Sequence, residues 1–227
     1  MNGKGNASTG TAGDGTATKV RELMTLAPVI PVLVIDEVDT AKPLAEALVA
    51  GGLVVLEVTL RTPAALEAMR AMAEVPGAVV GVGTALDGDD LRRARDAGAR
   101  FAVSPGYTEA LGKVAREIDL PLLPGIATSA DIMRARDGGF TELKFFPASQ
   151  AGGPAMLKAL GGPFVDAVFC PTGGVTAASA PQWLALPNVL CVGGSWVAPK
   201  ELVTAKDRSA ITELARQASA LAGGRTG

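Results

Sequence analysis

In the segment FTELKFFPAS, residues 140–149, a single lysine stands inside an otherwise apolar run. A lysine ammonium is among the groups least often buried without a partner. Lys144 is therefore either a strand-end cation reaching back to water or a group with chemistry to perform. A second run, LEVTLRT, places Glu57, Thr59 and Arg61 at every second position, and residues so spaced on a strand share one face. A lysine, a glutamate and an arginine facing one space form a coherent set. An amine held unprotonated among apolar side chains and beside a cation is a nucleophile towards carbonyls. Arg61 would supply that cation and grip a carboxylate through two parallel hydrogen bonds, and Glu57 would move protons. Together they describe imine chemistry on a 2-oxo acid. The plainer alternative makes Glu57 a partner to some barrel cation and Arg61 a surface charge closing a strand.

Other strand-end residues add to the set. GVGT ends in Thr84, and Phe146 shares the alternation of Lys144 with Glu142. PTGG and GGSW place Gly173, Gly174, Gly194 and Ser195 after the last two apolar runs. Backbone N–H groups left uncovered there suit a phosphate, although such glycines can also serve only to permit tight turns.

The composition excludes several competitors. The chain has no histidine, which removes serine- and cysteine-histidine triads and histidine-ligated metal sites. Its two cysteines, Cys170 and Cys191, are too few for a zinc cluster or a disulfide framework and read as buried thiols in a reducing cytoplasm. Net charge is -2 with both signs interspersed, so no basic stripe marks a nucleic-acid or membrane surface. Residues 1–18 are rich in Gly, Ser, Thr and Ala without the apolar core of a signal peptide, and read as a disordered tail. No run approaches the roughly 18 apolar residues of a membrane span.

Positioning such a set requires a regular scaffold. From residue 19 to 227 the chain reads as one domain in which eight short apolar runs alternate with segments of helical periodicity. Several of those segments end in glycine, as in ALVAGG, RDAGA and RDGG. Strand–helix units of this size imply parallel strands with crossover helices, and eight of them suit a compact (β/α)8 TIM barrel. An open doubly wound sheet is the alternative. GVGTAL lacks the third glycine of a dinucleotide-binding turn and follows the wrong strand. In a barrel, active sites lie at the C-terminal ends of the strands, where all the residues above fall.

The ordered set LEVTLRT, VGVGT, AVSPG, PLLPGIAT, LKFFPA, FCPTGG and VLCVGGSW, spread over residues 20 to 220, resembles the 2-keto-3-deoxy-6-phosphogluconate (KDPG) and 4-hydroxy-2-oxoglutarate (KHG) aldolase family. The resemblance implies a cofactor-free and metal-free class I aldolase on a (β/α)8 barrel, usually a homotrimer. It makes Lys144 the Schiff-base lysine, Glu57 the acid/base and Arg61 the carboxylate-binding residue. Thr84 and Phe146 would contact substrate, Thr172 would influence stereochemistry at C4, and Gly173, Gly174 and Ser195 would hold phosphate, with Gly194 beside them. It leaves open the galactonate-series aldolase of the same family. A phosphate-binding barrel isomerase or synthase without an imine, or a barrel that binds without catalysing, would not need these roles.

Overall fold

The structure is a computed structural model and describes residues 14–221. Of the expected tail, residues 1–13 lie outside this range, while helix α1 (Asp14–Thr25) already takes in residues 14–18. Strands and helices then alternate as β1 (Val29–Leu33), α2 (Val38–Ala50), β2 (Val55–Thr59), α3 (Ala65–Ala73), β3 (Val79–Gly83), α4 (Gly88–Asp96), β4 (Ala102–Val103) and α5 (Glu109–Glu117). They continue as β5 (Leu122–Leu123), β6 (Gly125–Ile126), α6 (Ser129–Asp137), β7 (Glu142–Phe145), α7 (Gly153–Leu160), β8 (Val168–Pro171), α8 (Ala180–Leu184), β9 (Val192–Gly194), α9 (Lys200–Thr204) and α10 (Arg208–Ser219).

All pairings are parallel. One sheet runs β5-β4-β3-β2-β1-β9 and another β6-β7-β8. β5 and β6 are halves of one expected strand, parted at Pro124, which has no N–H to give to a ladder. Its carbonyl still accepts from the Lys144 N–H at 2.9 Å. On the far side, bridges Phe169↔Val189 and Thr172↔Gly193 tie β8 to the β9 segment, and β9 pairs with β1. Both seams therefore join, and the eight apolar runs form the ring of a (β/α)8 barrel.

Alternation along the strands divides the core in two. Outward residues such as Leu56, Val58, Leu143, Phe145 and Phe169 pack beneath the helices. Inward residues Ile30, Val55, Phe101, Val103, Leu123, Cys170 and Cys191 fill the N-terminal half of the barrel, with Val20 and Met24 of α1 against them. The floor is thus plugged by apolar side chains and a helix. β3 makes room for this filling, since a Cβ on Gly81 would lie 2.4 Å from the Phe101 ring.

The helices start where the sequence can satisfy their first N–H groups. Asp87 accepts from the N–H groups of Asp89 and Asp90 at the start of α4. Thr128 and Asp131 form a reciprocal capping box on α6. Burial alone would raise the Asp131 carboxyl, but hydrogen bonds from the Thr128 hydroxyl and from the Ala127 and Thr128 N–H groups hold it below its ordinary range. Among the described residues, no helix is long and apolar enough to cross a membrane.

Candidate active site

Above the apolar floor the inward positions turn polar. Lys144 on β7 and Glu57 on β2 are 5 % and 3 % exposed, and Lys144 Nζ donates to Glu57 Oε1 at 3.1 Å. Their closeness is a tertiary fact, because the two residues are 87 positions apart in the chain. A buried ion pair with this geometry keeps both side chains in one place, since separating them would leave two unpaired charges in a low-dielectric space. The Phe146 ring lies against the amine, 5.3 Å from Nζ to its centroid, within the range of a cation–π contact.

β3 creates the space for the carboxylate. A Cβ on Gly83 would lie 2.3 Å from Glu57 Oε1 and 2.7 Å from its Cγ. β9 does the same for Thr172, for a Cβ on Gly193 would lie 2.2 Å from Thr172 Oγ1. Neither glycine is among the site residues that the sequence points to. Both carry a readable signal, however: a residue with no side chain at an inward position of a barrel strand leaves a volume that a neighbour must fill.

Thr172 is buried, one position past β8, whose Cys170 is the register partner of Lys144. Beyond it Gly173 and Gly174 adopt φ of 99° and 74°, a region in which L side chains are strained. A Cβ on Gly174 would also meet Ser149 Oγ at 2.5 Å. The loop after β7 is laced to this turn, with Ala148 N–H donating to Thr172 O at 2.8 Å and Ser149 N–H to Gly173 O at 3.0 Å. Gly194 ends β9 and the exposed Ser195 follows it. The glycine turns thus stand at the ends of neighbouring strands, on the same rim as Lys144.

Thr84 directly follows β3 with φ of 59°. For a β-branched residue this is a strained conformation, and it occurs at a strand end facing the barrel mouth.

Arg61 lies just past its strand. β2 ends at Thr59, so Arg61 lies in the following turn, exposed, and strand alternation no longer sets its direction. Among the described residues no hydrogen bond or ion pair joins it to Lys144 or Glu57, and the groups against the amine are a carboxylate and an aromatic ring. Thr59, which shares the inward face with Glu57, donates its hydroxyl to Leu33 O at 2.9 Å. Glu142, the other polar mate of Lys144, faces the floor and is bonded by Arg21 of α1 at 2.7 Å.

A buried amine touching a buried carboxylate at a barrel mouth, with glycine turns on the adjacent strand ends, is suited to forming and breaking carbon–nitrogen and carbon–carbon bonds next to a carbonyl. Known proteins are similar to this chain in sequence and fold. The family model described as KDPG and KHG aldolase matches residues 20–214. A Zymomonas mobilis 2-dehydro-3-deoxy-phosphogluconate aldolase is 55% identical over 201 residues, 88% of this chain and 95% of the relative. The crystal structure of the Z. mobilis 2-keto-3-deoxy-6-phosphogluconate aldolase with 3-phosphoglycerate superposes with a TM-score of 0.88 at 54% identity, covering 90% of this chain and 97% of the other. The Legionella pneumophila KDPG aldolase, solved with pyruvate captured at low pH as a covalent carbinolamine, superposes with a TM-score of 0.86 at 45% identity, over 88% and 97% of the two chains. This chain belongs to the KDPG and KHG aldolase family.

Proposed function

We propose that the protein is a class I aldolase that cleaves 2-keto-3-deoxy-6-phosphogluconate into pyruvate and glyceraldehyde 3-phosphate through an imine on Lys144. The observation that carries this reading is the buried contact between Lys144 Nζ and Glu57 Oε1 at 3.1 Å. The carbinolamine of pyruvate in the L. pneumophila relative supports the chemistry, and the 3-phosphoglycerate in the Z. mobilis relative supports a phosphorylated substrate.

The reaction follows from the contact. Glu57 takes a proton from Lys144, and the amine lone pair attacks C2 of the substrate. The carbonyl oxygen gains a proton, and loss of water leaves a protonated imine, an electron sink next to C3. Glu57 removes the proton of the C4 hydroxyl, the C3–C4 bonding pair moves into the imine, and the aldehyde departs. The enamine that remains is protonated at C3 by Glu57, and water hydrolyses the imine to release pyruvate and the amine. One carboxyl serves each proton transfer, so a chain without histidine loses nothing. The Phe146 ring favours the cationic imine, and Gly83 leaves the volume in which Glu57 moves.

Arg61 is assigned to the pyruvate carboxylate, with Thr84 beside it, and its exposed turn gives it the freedom to close on that anion. Thr172 faces C4, while Gly173, Gly174, Gly194 and Ser195 receive the phosphate. The imine steps do not involve the distal end of the substrate, so 4-hydroxy-2-oxoglutarate, giving pyruvate and glyoxylate, is a second substrate of the same site. The reading extends to a homotrimer in the cytoplasm on the strength of the family resemblance, and sedimentation analysis tests the trimer.

Incubation with pyruvate followed by borohydride reduction tests the central claim. A reduced pyruvyl adduct on the peptide containing Lys144, absent in Lys144→Met, is the expected result. A folded protein that forms no adduct would end the imine reading.

A further inference from the structure

A phosphate monoester carries close to two negative charges near neutral pH. The residues assigned to it, Gly173, Gly174, Gly194 and Ser195, offer N–H and hydroxyl groups but no charge. The structure supplies a cation nearby. A cavity opens at the rim between β9 and β1, lined by Ser195, Val32, Val34, Asp36, Glu37 and Lys200 among others. Its position relative to the chemistry is set by register. Val32 is the partner of Glu57 across β1 and β2, and Gly194, just before Ser195, pairs with Pro31 on the other edge of β1. Lys200 is the basic residue among the groups that line this cavity.

Lys200 is not idle. Its Nζ lies 2.9 Å from Asp36 Oδ2, and the two side chains are 78% and 53% exposed. The hydrogen bond that Lys200 donates to the Asp36 carboxylate holds the lysine above its ordinary range, so it is an ammonium at working pH. An ion pair this exposed is held weakly. A phosphate dianion entering the cavity beside Ser195 offers the ammonium a stronger partner than one carboxylate. Asp36 is the carboxylate that this anion must displace from the ammonium, and Glu37 lines the same space.

We infer that Asp36 and Lys200 form a specificity-determining ion pair at the barrel rim, in which Lys200 exchanges Asp36 for the phosphate of the substrate. The inference deepens the aldolase reading and rests on it. Lys200 supplies the charge that the glycine turns lack, and Asp36 sets the cost of the exchange by competing for the same ammonium. The pair therefore sets the preference for phosphorylated over unphosphorylated 2-keto-3-deoxy acids, with little part in the imine steps.

The test compares kcat/KM for 2-keto-3-deoxy-6-phosphogluconate with that for 2-keto-3-deoxygluconate in the wild type, K200M, D36N and the double variant. In K200M the preference for the phosphorylated substrate falls about tenfold, mainly through KM, the size expected for one charge-assisted contact. In D36N the preference rises several-fold, and that rise disappears when Lys200 is also replaced. An unaltered preference in K200M, or a D36N effect that persists without Lys200, would overturn the inference while leaving the aldolase reading intact. A wild type that cleaves neither substrate and forms no borohydride adduct with pyruvate would remove both.

Discussion

Among the described residues the barrel holds two buried carboxylates on inward positions, one at the floor and one at the mouth. Glu142 at the floor is 4 % exposed and Glu57 at the mouth 3 %, yet their partners differ. Glu142 accepts from Arg21, whose side chain is 48% exposed, and also from the Thr141 hydroxyl at 3.1 Å. Its charge is answered by a guanidinium that stays partly in water and never gives up its proton. Glu57 is answered by Lys144, itself buried, whose amine can lose a proton and attack a carbonyl. Around Glu142 the barrel is filled by apolar side chains and α1, while around Glu57 it is emptied by Gly83. A buried acid beside an arginine in a filled space is a latch, and a buried acid beside a lysine in a cleared space is a reaction centre.

The sharpest way to break the comparison is one substitution made in both places. Glu57→Gln should lower turnover by about 10²–10⁴-fold, the usual contribution of a positioned acid/base, whereas Glu142→Gln should leave kcat within about twofold because a latch performs no proton transfer. Steady-state kinetics on both variants decides it, and equal losses would erase the distinction. A smaller effect is expected from Gly83→Ala. The added methyl should push the carboxylate off its position and cost about 10- to 100-fold in kcat, as ångström-scale misplacement does. Borohydride trapping of pyruvate on Lys144 should persist in this variant, while exchange of the pyruvate methyl protons with solvent slows, so proton transfer is lost ahead of imine formation. The smallest effect on catalysis belongs to the floor. Arg21→Met should leave Glu142 with only the Thr141 hydroxyl and destabilise the fold by about 2 kcal/mol, read as a lower denaturation midpoint, with kcat in the folded protein near that of the wild type.

Much of this was legible in the chain because it is written in local terms. Strand and helix periods, glycine after helices and a hydroxyl or acid before them are short-range signals, and they yielded the order of the barrel. Pro124 is an instructive exception: the run around it reads as one strand, and the missing N–H divides it in two. Alternation placed Glu57 and Lys144 on inward faces, because each lies inside a strand whose geometry dictates side-chain direction. It does not extend to Arg61, which is past the end of β2, where a turn and not a pleat sets the direction. Gly83 and Gly193 each mark an inward gap, but which neighbour fills it, Glu57 or Thr172, appears only in the folded barrel.

By itself, then, the sequence determined the alternation of elements, the polarity of each strand face and the residue types able to form an imine and move its protons. Only the tertiary structure decided which of those groups touch: Lys144 with Glu57, Arg21 with Glu142, Asp36 with Lys200. Such pairings depend on ring closure and on the stagger between strands, which are collective properties of the whole barrel. No local run of residues encodes them, and the distances on which chemistry depends appear only when the ring has closed.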